Sequence, residues 1–335
     1  MIRVAINGFG RIGRIAFRQM ITSSDFDIVA INSLDANAEE FAYLIKYDTV
    51  HGNFHEDEIS FENDELVICG QKRIKIFSSS DPSTLPWESL NIDLVLECTG
   101  AFTSVEGAMK HVTAGAKKVL ISAPGKDEMP TIVANVNDDK IPGDAKVVSA
   151  ASCTTNCLAP LLKVINDNIG IIKGYMSTIH AYTSDQVNLD NVHKKGIKSR
   201  RGRACAENIV PASTGAAKAI GLVIPDLKGK MDGIAFRVPV ADGSVVDATL
   251  ELKRNVTVDE INELYKNNQN ESLKITFDPI VSCDVIGKKY GAVIDGLSTS
   301  IVESEGKQLV KIIAWYDNEY GYTAQMLRTA KKMFK

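Results

Sequence analysis

Short apolar runs alternate with stretches of helical period along the first 150 positions of the chain. Val4–Asn7 is an apolar run that predicts a strand, and Ile12, Ile15, Ala16 and Met20 then fall on one helical face. Ile28–Asn32 predicts a second strand. Ile92–Glu97 and Val119–Ser122 predict two more, separated by a helical pattern over Ser104–Ala114, and Val147–Ala151 closes the series. Strands that are apolar without alternation are buried on both faces. Linked by helices, they predict an α/β, doubly wound parallel sheet of Rossmann type.

The pattern changes in the second half. Ile234, Phe236, Val238 and Val240 alternate with Ala235, Arg237 and Pro239, and Val246, Ala248, Leu250 and Leu252 alternate with Asp247, Thr249 and Glu251. Period two predicts strands with two unlike faces, hence an α+β domain with a mixed or antiparallel sheet. Thr257 followed by Glu260 has the spacing of a capping box, and Tyr322, Met326, Ala330 and Met333 mark a last helix. A chain of 335 residues exceeds what one core usually serves. The expected division is a dinucleotide-binding domain over 1–152, joined by a C-terminal helix at about 319–335, and a catalytic domain over 153–318.

Composition narrows the classes. Apolar residues make up 44% and charged residues 24%, with a formal net charge of −4, so nothing calls for nucleic acid as a partner. No apolar run reaches the ~18 residues of a membrane span. Met1–Ile6 reads as a strand running into a glycine loop rather than a signal peptide, so the expected location is the cytoplasm. The six cysteines are expected to be free thiols. Cys153 and Cys157 have C-x-x-x-C spacing with no histidine cluster beside them, and no metal site is expected.

Gly8-Phe9-Gly10-Arg11-Ile12-Gly13 is G-x-G-x-x-G between a predicted strand and a predicted helix, the context in which that pattern binds a dinucleotide. Its first glycine permits the turn, the second lets a pyrophosphate approach the backbone, and the third lets the helix pack on the strand. Gly8, Gly10, Arg11, Ile12, Gly13, Ser33, Thr99 and Ser122 are the candidate cofactor contacts in this half. An acidic residue usually ends the second strand and binds the ribose 2′-hydroxyl. Here Ser33 stands at that place, and Asp35 lies two residues beyond.

Ala150-Ala151-Ser152-Cys153-Thr154-Thr155-Asn156-Cys157 follows a predicted strand, and Leu158, Leu161, Leu162 and Ile165 continue with helical spacing. Cys153 is thus expected near a helix N-terminus, whose partial positive charge favours thiolate. Pro160 predicts a kink or a late start for that helix. Taken alone, Cys153 also reads as a buried structural thiol. His180, on a predicted strand over Lys173–Thr183 and sharing a face with Thr178 and Tyr182, also reads as a structural histidine.

Five segments carry a resemblance over essentially the whole chain: Asn7–Gly13, Ala151–Leu158, Tyr182–Gln186, Pro211–Lys218 and Trp315–Thr323. With them the sequence resembles the phosphorylating glyceraldehyde-3-phosphate dehydrogenases. The resemblance implies that Cys153 is the nucleophile and His180 its base. It implies that Ser152, Thr154, Thr183, Arg200, Thr214, Gly215 and Arg237 line sites for the substrate phosphate and for inorganic phosphate, with Arg201 adjoining Arg200. Asn318 would bind the nicotinamide amide. The implied assembly is a homotetramer, with the polar stretch Thr183–Arg203 between subunits.

The implied activity is oxidation of D-glyceraldehyde 3-phosphate to 1,3-bisphosphoglycerate through a Cys153 thioester, in glycolysis or gluconeogenesis. Alternatives are an erythrose-4-phosphate dehydrogenase, against which the intact S-T-G-A-A-K segment speaks, and a binding protein that kept the fold without catalysis. Ser80 stands before Asp81-Pro82 where the family often has arginine, and Asn191-Val192 stands where NAD-preferring relatives often carry Leu-Pro. Use of both NAD and NADP is therefore expected.

Overall fold

The computed structural model describes residues 1–34 and 37–335, so Asp35 lies outside the described residues. The chain forms two compact units. The first comprises residues 1–132, 138–151 and 326–335, and the second comprises 133–137 and 152–325.

The elements of the first part of the chain are β1 (Ile2–Asn7), α1 (Arg11–Ile21), β2 (Phe26–Asn32), α2 (Ala38–Lys46), β3 (Ile59–Glu62), β4 (Glu65–Ile68), β5 (Lys72–Phe77), β6 (Leu94–Glu97), α3 (Val105–Thr113), β7 (Lys118–Ile121) and β8 (Val147–Ser149). They build a sheet of order β3-β4-β5-β2-β1-β6-β7-β8. From β5 to β8 every pairing is parallel, in the doubly wound order that reverses beside β1. The hairpin strands β3 and β4 extend one edge with antiparallel pairing, which the apolar pattern does not reveal.

Alternate residues of the same strands feed two cores. Val4, Ile6, Leu94 and Leu96 pack with Ala16, Phe17 and Met20 of α1 and with Met326, Ala330 and Met333. Ala5 and Val95 face the opposite way, toward Trp87 and Ala108. Burial of both faces is why these strands read as unbroken apolar runs.

The second part contains α4 (Cys153–Asn168), β9 (Ile171–Ala181), β10 (Val210–Ser213), α5 (Ala216–Val223), β11 (Met231–Val238), β12 (Ser244–Leu252), α6 (Val258–Asn267), β13 (Leu273–Thr276), β14 (Ala292–Asp295), β15 (Ser300–Ser304), β16 (Lys307–Tyr316) and α7 (Tyr320–Lys332). Its sheet, β10-β11-β9-β12-β16-β14-β13 with β15 on β16, is mixed: β9 with β11 and β13 with β14 are parallel, and the other pairings are antiparallel.

One face of this sheet carries Met176, Thr178 and His180 of β9, Val246 and Ala248 of β12, and Ile312, Ala314 and Tyr316 of β16, all buried. In β11 it is Ala235 that is buried, while Ile234 and Phe236 are half-buried. The alternation is present, but the larger apolar side chains of β11 lie on the less covered face. α7 begins in the second unit and ends in the first.

Two local expectations change. α4 starts at Cys153 and remains helical through Pro160, so the proline does not delay the helix. Thr257 caps α6 by accepting the Glu260 N–H, but the reciprocal half of the box is missing because the Glu260 carboxylate pairs with Arg254. A capping box does form where none was expected, between Asn37 and Glu40 at α2.

The glycine loop is constrained by contact. Gly8 has φ +93°, and a Cβ there would lie 2.6 Å from the Thr99 nitrogen. A Cβ on Gly13 would lie 2.2 Å from the Gly8 carbonyl oxygen. Backbone atoms on both sides leave no flexible group to yield. Gly13→Ala is therefore expected to destabilise the protein by about 1–3 kcal/mol. Denaturant unfolding checks this, and an unchanged midpoint would mean that the α1–β1 packing relaxes freely.

Candidate functional site

In the first unit, Gly8, Phe9 and Gly10 line a cleft of about 400 Å³ with Asn7, Asn32, Ser33, Leu34, Ser79, Ser80, Cys98, Thr99, Ala101 and Phe102. Gly10 precedes the first turn of α1, and a Cβ built on it meets nothing within 4 Å. The loop thus combines free helix N–H groups with open space, as a pyrophosphate requires. Buried Glu97 ties its rim together. One carboxylate oxygen accepts from Asn7 Nδ2 at 2.5 Å, and the other accepts from the Thr99 N–H at 2.8 Å. Asn32 Nδ2 donates to Asn7 Oδ1 at 2.7 Å, joining the ends of β1 and β2. The residues present fit a dinucleotide.

Ser33 lies at the end of β2, and its hydroxyl accepts the Phe9 N–H at 3.3 Å, which leaves its own proton free to donate. Among the described residues, those lining the cleft include neither an acid nor a base. Arg11 turns to Asp48, with Nη2 3.2 Å from the carboxylate, and this pair with backbone N–H bonds holds Asp48 down to about 2 despite burial. Ile12 is half-buried in the first turn of α1. Ser122 begins after β7 and hydrogen-bonds Cys98, whose thiol burial pushes up to about 12.

In the second unit, Ser152 is the N-cap of α4. Its hydroxyl accepts the Thr155 N–H at 3.1 Å, and Cys153 follows in the first turn. Ala151, just before the cap, is left-handed with φ +57°, a conformation costing roughly 1–2 kcal/mol for a residue with a Cβ. Cys153 Sγ lies 3.3 Å from His180 Nε2. His180 Nδ1 lies 2.7 Å from the Ala181 carbonyl, to which it can only donate, so Nε2 is the acceptor facing the sulfur.

Arg237 stands beside His180 because β9 and β11 pair in that register. Its Nη1 donates to Thr183 Oγ1 at 2.9 Å and to the Ala181 carbonyl at 3.0 Å. Thr183 donates in turn to Asp185, which also holds Arg201 in an ion pair. Arg201 is thereby directed toward the Thr183–Arg237 cluster, whereas Arg200 is exposed with φ +58°. Thr214 Oγ1 accepts the Ala216 N–H at 3.2 Å, and exposed Gly215 caps α5 with open space where a side chain would stand. The Thr154 hydroxyl is buried and bonded to Tyr316 at 3.0 Å rather than open to an anion. Buried Asn318 accepts at Oδ1 from Ser244 Oγ at 2.6 Å.

Burial dominates the electrostatics. Together with the neighbouring Arg237 charge it lowers His180 to about 3. Burial also raises the Cys153 thiol, outweighing the pull of Arg237 and of the Thr154 hydrogen bonds. The expected thiolate is thus a thiol at rest, with a neutral imidazole as acceptor. Asp185, Tyr316 and Ser244 join the site without having been legible in sequence. The Thr183-x-Asp185 spacing was the available sign for the first. Cys157 is buried under the Ala314 carbonyl, and all six thiols are free.

Among the described residues no helix is long and apolar enough to cross a membrane. Residues 2–105 match the glyceraldehyde 3-phosphate dehydrogenase NAD binding domain, and residues 152–318 match the glyceraldehyde 3-phosphate dehydrogenase C-terminal domain. The chain is 54% identical to the glyceraldehyde-3-phosphate dehydrogenase of Clostridium pasteurianum over 100% of its length and 99% of the relative's. It is also 54% identical to that of Clostridium acetobutylicum, over 98% and 97%. It is 48% identical to glyceraldehyde-3-phosphate dehydrogenase 2 of Bacillus subtilis, over 97% and 95%. With an NAD-binding α/β unit, a mixed-sheet unit and full-length relatives at this identity, the chain belongs to the glyceraldehyde 3-phosphate dehydrogenase family.

Proposed function

We propose that this protein oxidises D-glyceraldehyde 3-phosphate to 1,3-bisphosphoglycerate through a covalent thioester on Cys153, in a cytoplasmic homotetramer serving glycolysis or gluconeogenesis. The observation that carries the mechanism is the 3.3 Å approach of Cys153 Sγ to a neutral His180 Nε2. His180 takes the thiol proton as sulfur bonds to the aldehyde carbon, and returns it to the former carbonyl oxygen as the hydroxyl of a thiohemiacetal. That oxygen forms beside the N-terminus of α4, whose partial positive charge favours negative charge on it. When bound in the first unit's cleft, the nicotinamide supplies the hydride acceptor. His180 then removes the hydroxyl proton and leaves a thioester. A phosphate oxygen attacks its carbonyl carbon, the carbon–sulfur bond breaks, and the electron pair returns to Cys153.

Arg237, Thr183 and Arg201, with Asp185 orienting both the threonine and Arg201, suit one phosphate; Ser152, Thr214 and Gly215 suit the other. Arg201 replaces Arg200 in this reading, because Arg201 is the one paired within the cluster. An anion beside Arg237 would also offset the charge that depresses His180 and so strengthen the base when substrate is present. Leu189, Val192 and Ile197, 78%, 91% and 94% exposed, give the 183–203 segment an apolar surface suited to a neighbouring subunit.

The deciding experiment follows cofactor reduction by absorbance with aldehyde, NAD and inorganic phosphate. Activity is expected in the wild type and in Cys157→Ser, and none in Cys153→Ser. Retained activity in Cys153→Ser would overturn the covalent route.

Arg237→Ala is expected to weaken turnover of the phosphorylated aldehyde at least tenfold more than that of unphosphorylated glyceraldehyde, as loss of about 1.4 kcal/mol of selective binding requires. Steady-state kinetics on both aldehydes check this. Equal losses would make Arg237 a structural residue.

For the cofactor, a cleft whose described lining residues include neither acid nor base supports use of both NAD and NADP. The Ser33 hydroxyl can donate to a ribose hydroxyl or to a 2′-phosphate. Ser33→Asp is expected to raise the Michaelis constant for NADP while sparing NAD. Wild-type rejection of NADP by more than about a hundredfold, roughly 2.7 kcal/mol, would contradict the dual reading.

A further inference from the structure

A line of hydrogen bonds in the first unit joins residues of the dinucleotide cleft to the buried core, and its two ends fix its direction. At one end the Ser79 backbone N–H, which can only donate, lies 2.8 Å from Asn32 Oδ1. The Asn32 amide is thereby oriented, and its Nδ2 donates to Asn7 Oδ1 at 2.7 Å. Asn7 is oriented in turn, and its Nδ2 donates to Glu97 Oε2 at 2.5 Å. At the other end the Trp87 indole N–H, also a donor only, lies 3.0 Å from His111 Nδ1. His111 Nδ1 therefore accepts, and the ring carries its proton on Nε2, 3.2 Å from the same Glu97 oxygen.

Glu97 is where the two directions meet. Its other oxygen accepts the Thr99 N–H at 2.8 Å and also bonds the Thr99 hydroxyl. Glu97 is 1% exposed, and Trp87 and His111 are fully buried. Three N–H donors of fixed direction fill both oxygens, which is the environment of a carboxylate rather than of an acid.

The same residues shape the glycine loop. A Cβ on Gly8 would lie 2.6 Å from the Thr99 nitrogen and 2.8 Å from the Cys98 carbonyl carbon, so the backbone that Glu97 holds is the backbone against which Gly8 packs. The Cys98 N–H donates to the Asn7 carbonyl at 2.7 Å, and the Gly8 N–H donates to the Asn32 carbonyl at 2.8 Å. Asn7, Asn32, Ser79 and Thr99 all line the cleft. Thr99 gives both its N–H and its hydroxyl proton to Glu97, so it meets a cofactor with no donor of its own.

We propose that Glu97 is a positioning residue for the cofactor: a buried carboxylate, backed by His111 in a single tautomer, that pins the Asn7 amide and the Thr99 backbone and through them holds the glycine loop in its binding shape. Trp87 sets the tautomer of His111. The link to the cofactor rests on the functional reading above. The tautomer and the carboxylate do not.

Two substitutions separate this role from simple packing. Glu97→Gln keeps the volume but places an amide NH2 among donors, and neither orientation of the amide avoids the conflict, because N–H groups face both oxygens. His111→Gln keeps an acceptor for Trp87 and a donor for Glu97, whereas His111→Leu keeps neither.

The test uses the full-length protein. Nitrogen NMR of the histidine side chains at neutral pH is expected to show a neutral imidazole protonated at Nε2, whose signal disappears in His111→Gln. NAD titration calorimetry, on variants that keep the wild-type circular dichroism, is expected to show affinity lowered about tenfold or more in Glu97→Gln and His111→Leu, and less than about threefold in His111→Gln. An His111 ring protonated at Nδ1, a Glu97→Gln variant that binds NAD as the wild type does, or equal losses in the two His111 variants would overturn the proposal. Should Glu97→Gln fail to fold, the contrast between His111→Gln and His111→Leu decides alone. Failure of the cofactor reading would look different: the Nε2 tautomer would be present in a wild type that binds no NAD.

Discussion

The chemistry of the second unit depends on one register, the parallel pairing of β9 with β11 that sets Arg237 opposite His180. A slip of one residue would turn Arg237 to the other face of the sheet, because side chains alternate with period two. With the register as it is, a guanidinium charge sits against the imidazole, bonds to Thr183, and lies near the Arg201–Asp185 pair. The grouping of Arg237, Thr183 and His180, and the part of the imidazole's low basicity that Arg237 adds to burial, are therefore consequences of one strand alignment. Antiparallel pairing of β9 with β12 on the other side fixes the same face from its second edge, with Thr178 opposite Val246.

Burial decides the resting state of the reactive pair. The start of α4 favours a thiolate, but the surrounding protein makes an isolated charge on sulfur or imidazole costly. The low-energy arrangement is a thiol hydrogen-bonded to a neutral imidazole. Reactivity on the proposed reading is then coupled to the arrival of anions, since Arg237 is a fixed positive charge whose partner is the substrate.

In the first unit the constraint is steric. Backbone from the end of β6 approaches Gly8, and the Gly8 carbonyl approaches Gly13, so only hydrogen fits at either position. Gly10 differs in kind, since its missing side chain faces open space and preserves room. The same motif therefore contains two glycines that hold the fold and one that leaves a cradle.

The sequence alone was sufficient for the parallel sheet, because strands feeding two cores must be apolar without alternation, as Val4, Ala5 and Ile6 are. It was sufficient for the glycine loop, the helix behind Cys153 and the last helix, each of which rests on spacing within about 20 residues. The edge hairpin β3–β4 escaped because its strands are only four residues long and β3 is largely exposed. Thr257 was legible as a cap, while Glu260 was lost to Arg254, a competitor outside the motif. That Arg201 rather than Arg200 pairs with Asp185, and that Tyr316 and Ser244 lie beside His180 and Ala181, was decided only by tertiary structure. Those contacts link positions far apart in the chain through strand register and burial. A linear pattern records which side chains are present. It does not record which of them the folded sheet brings within hydrogen-bond distance, or which it removes from water.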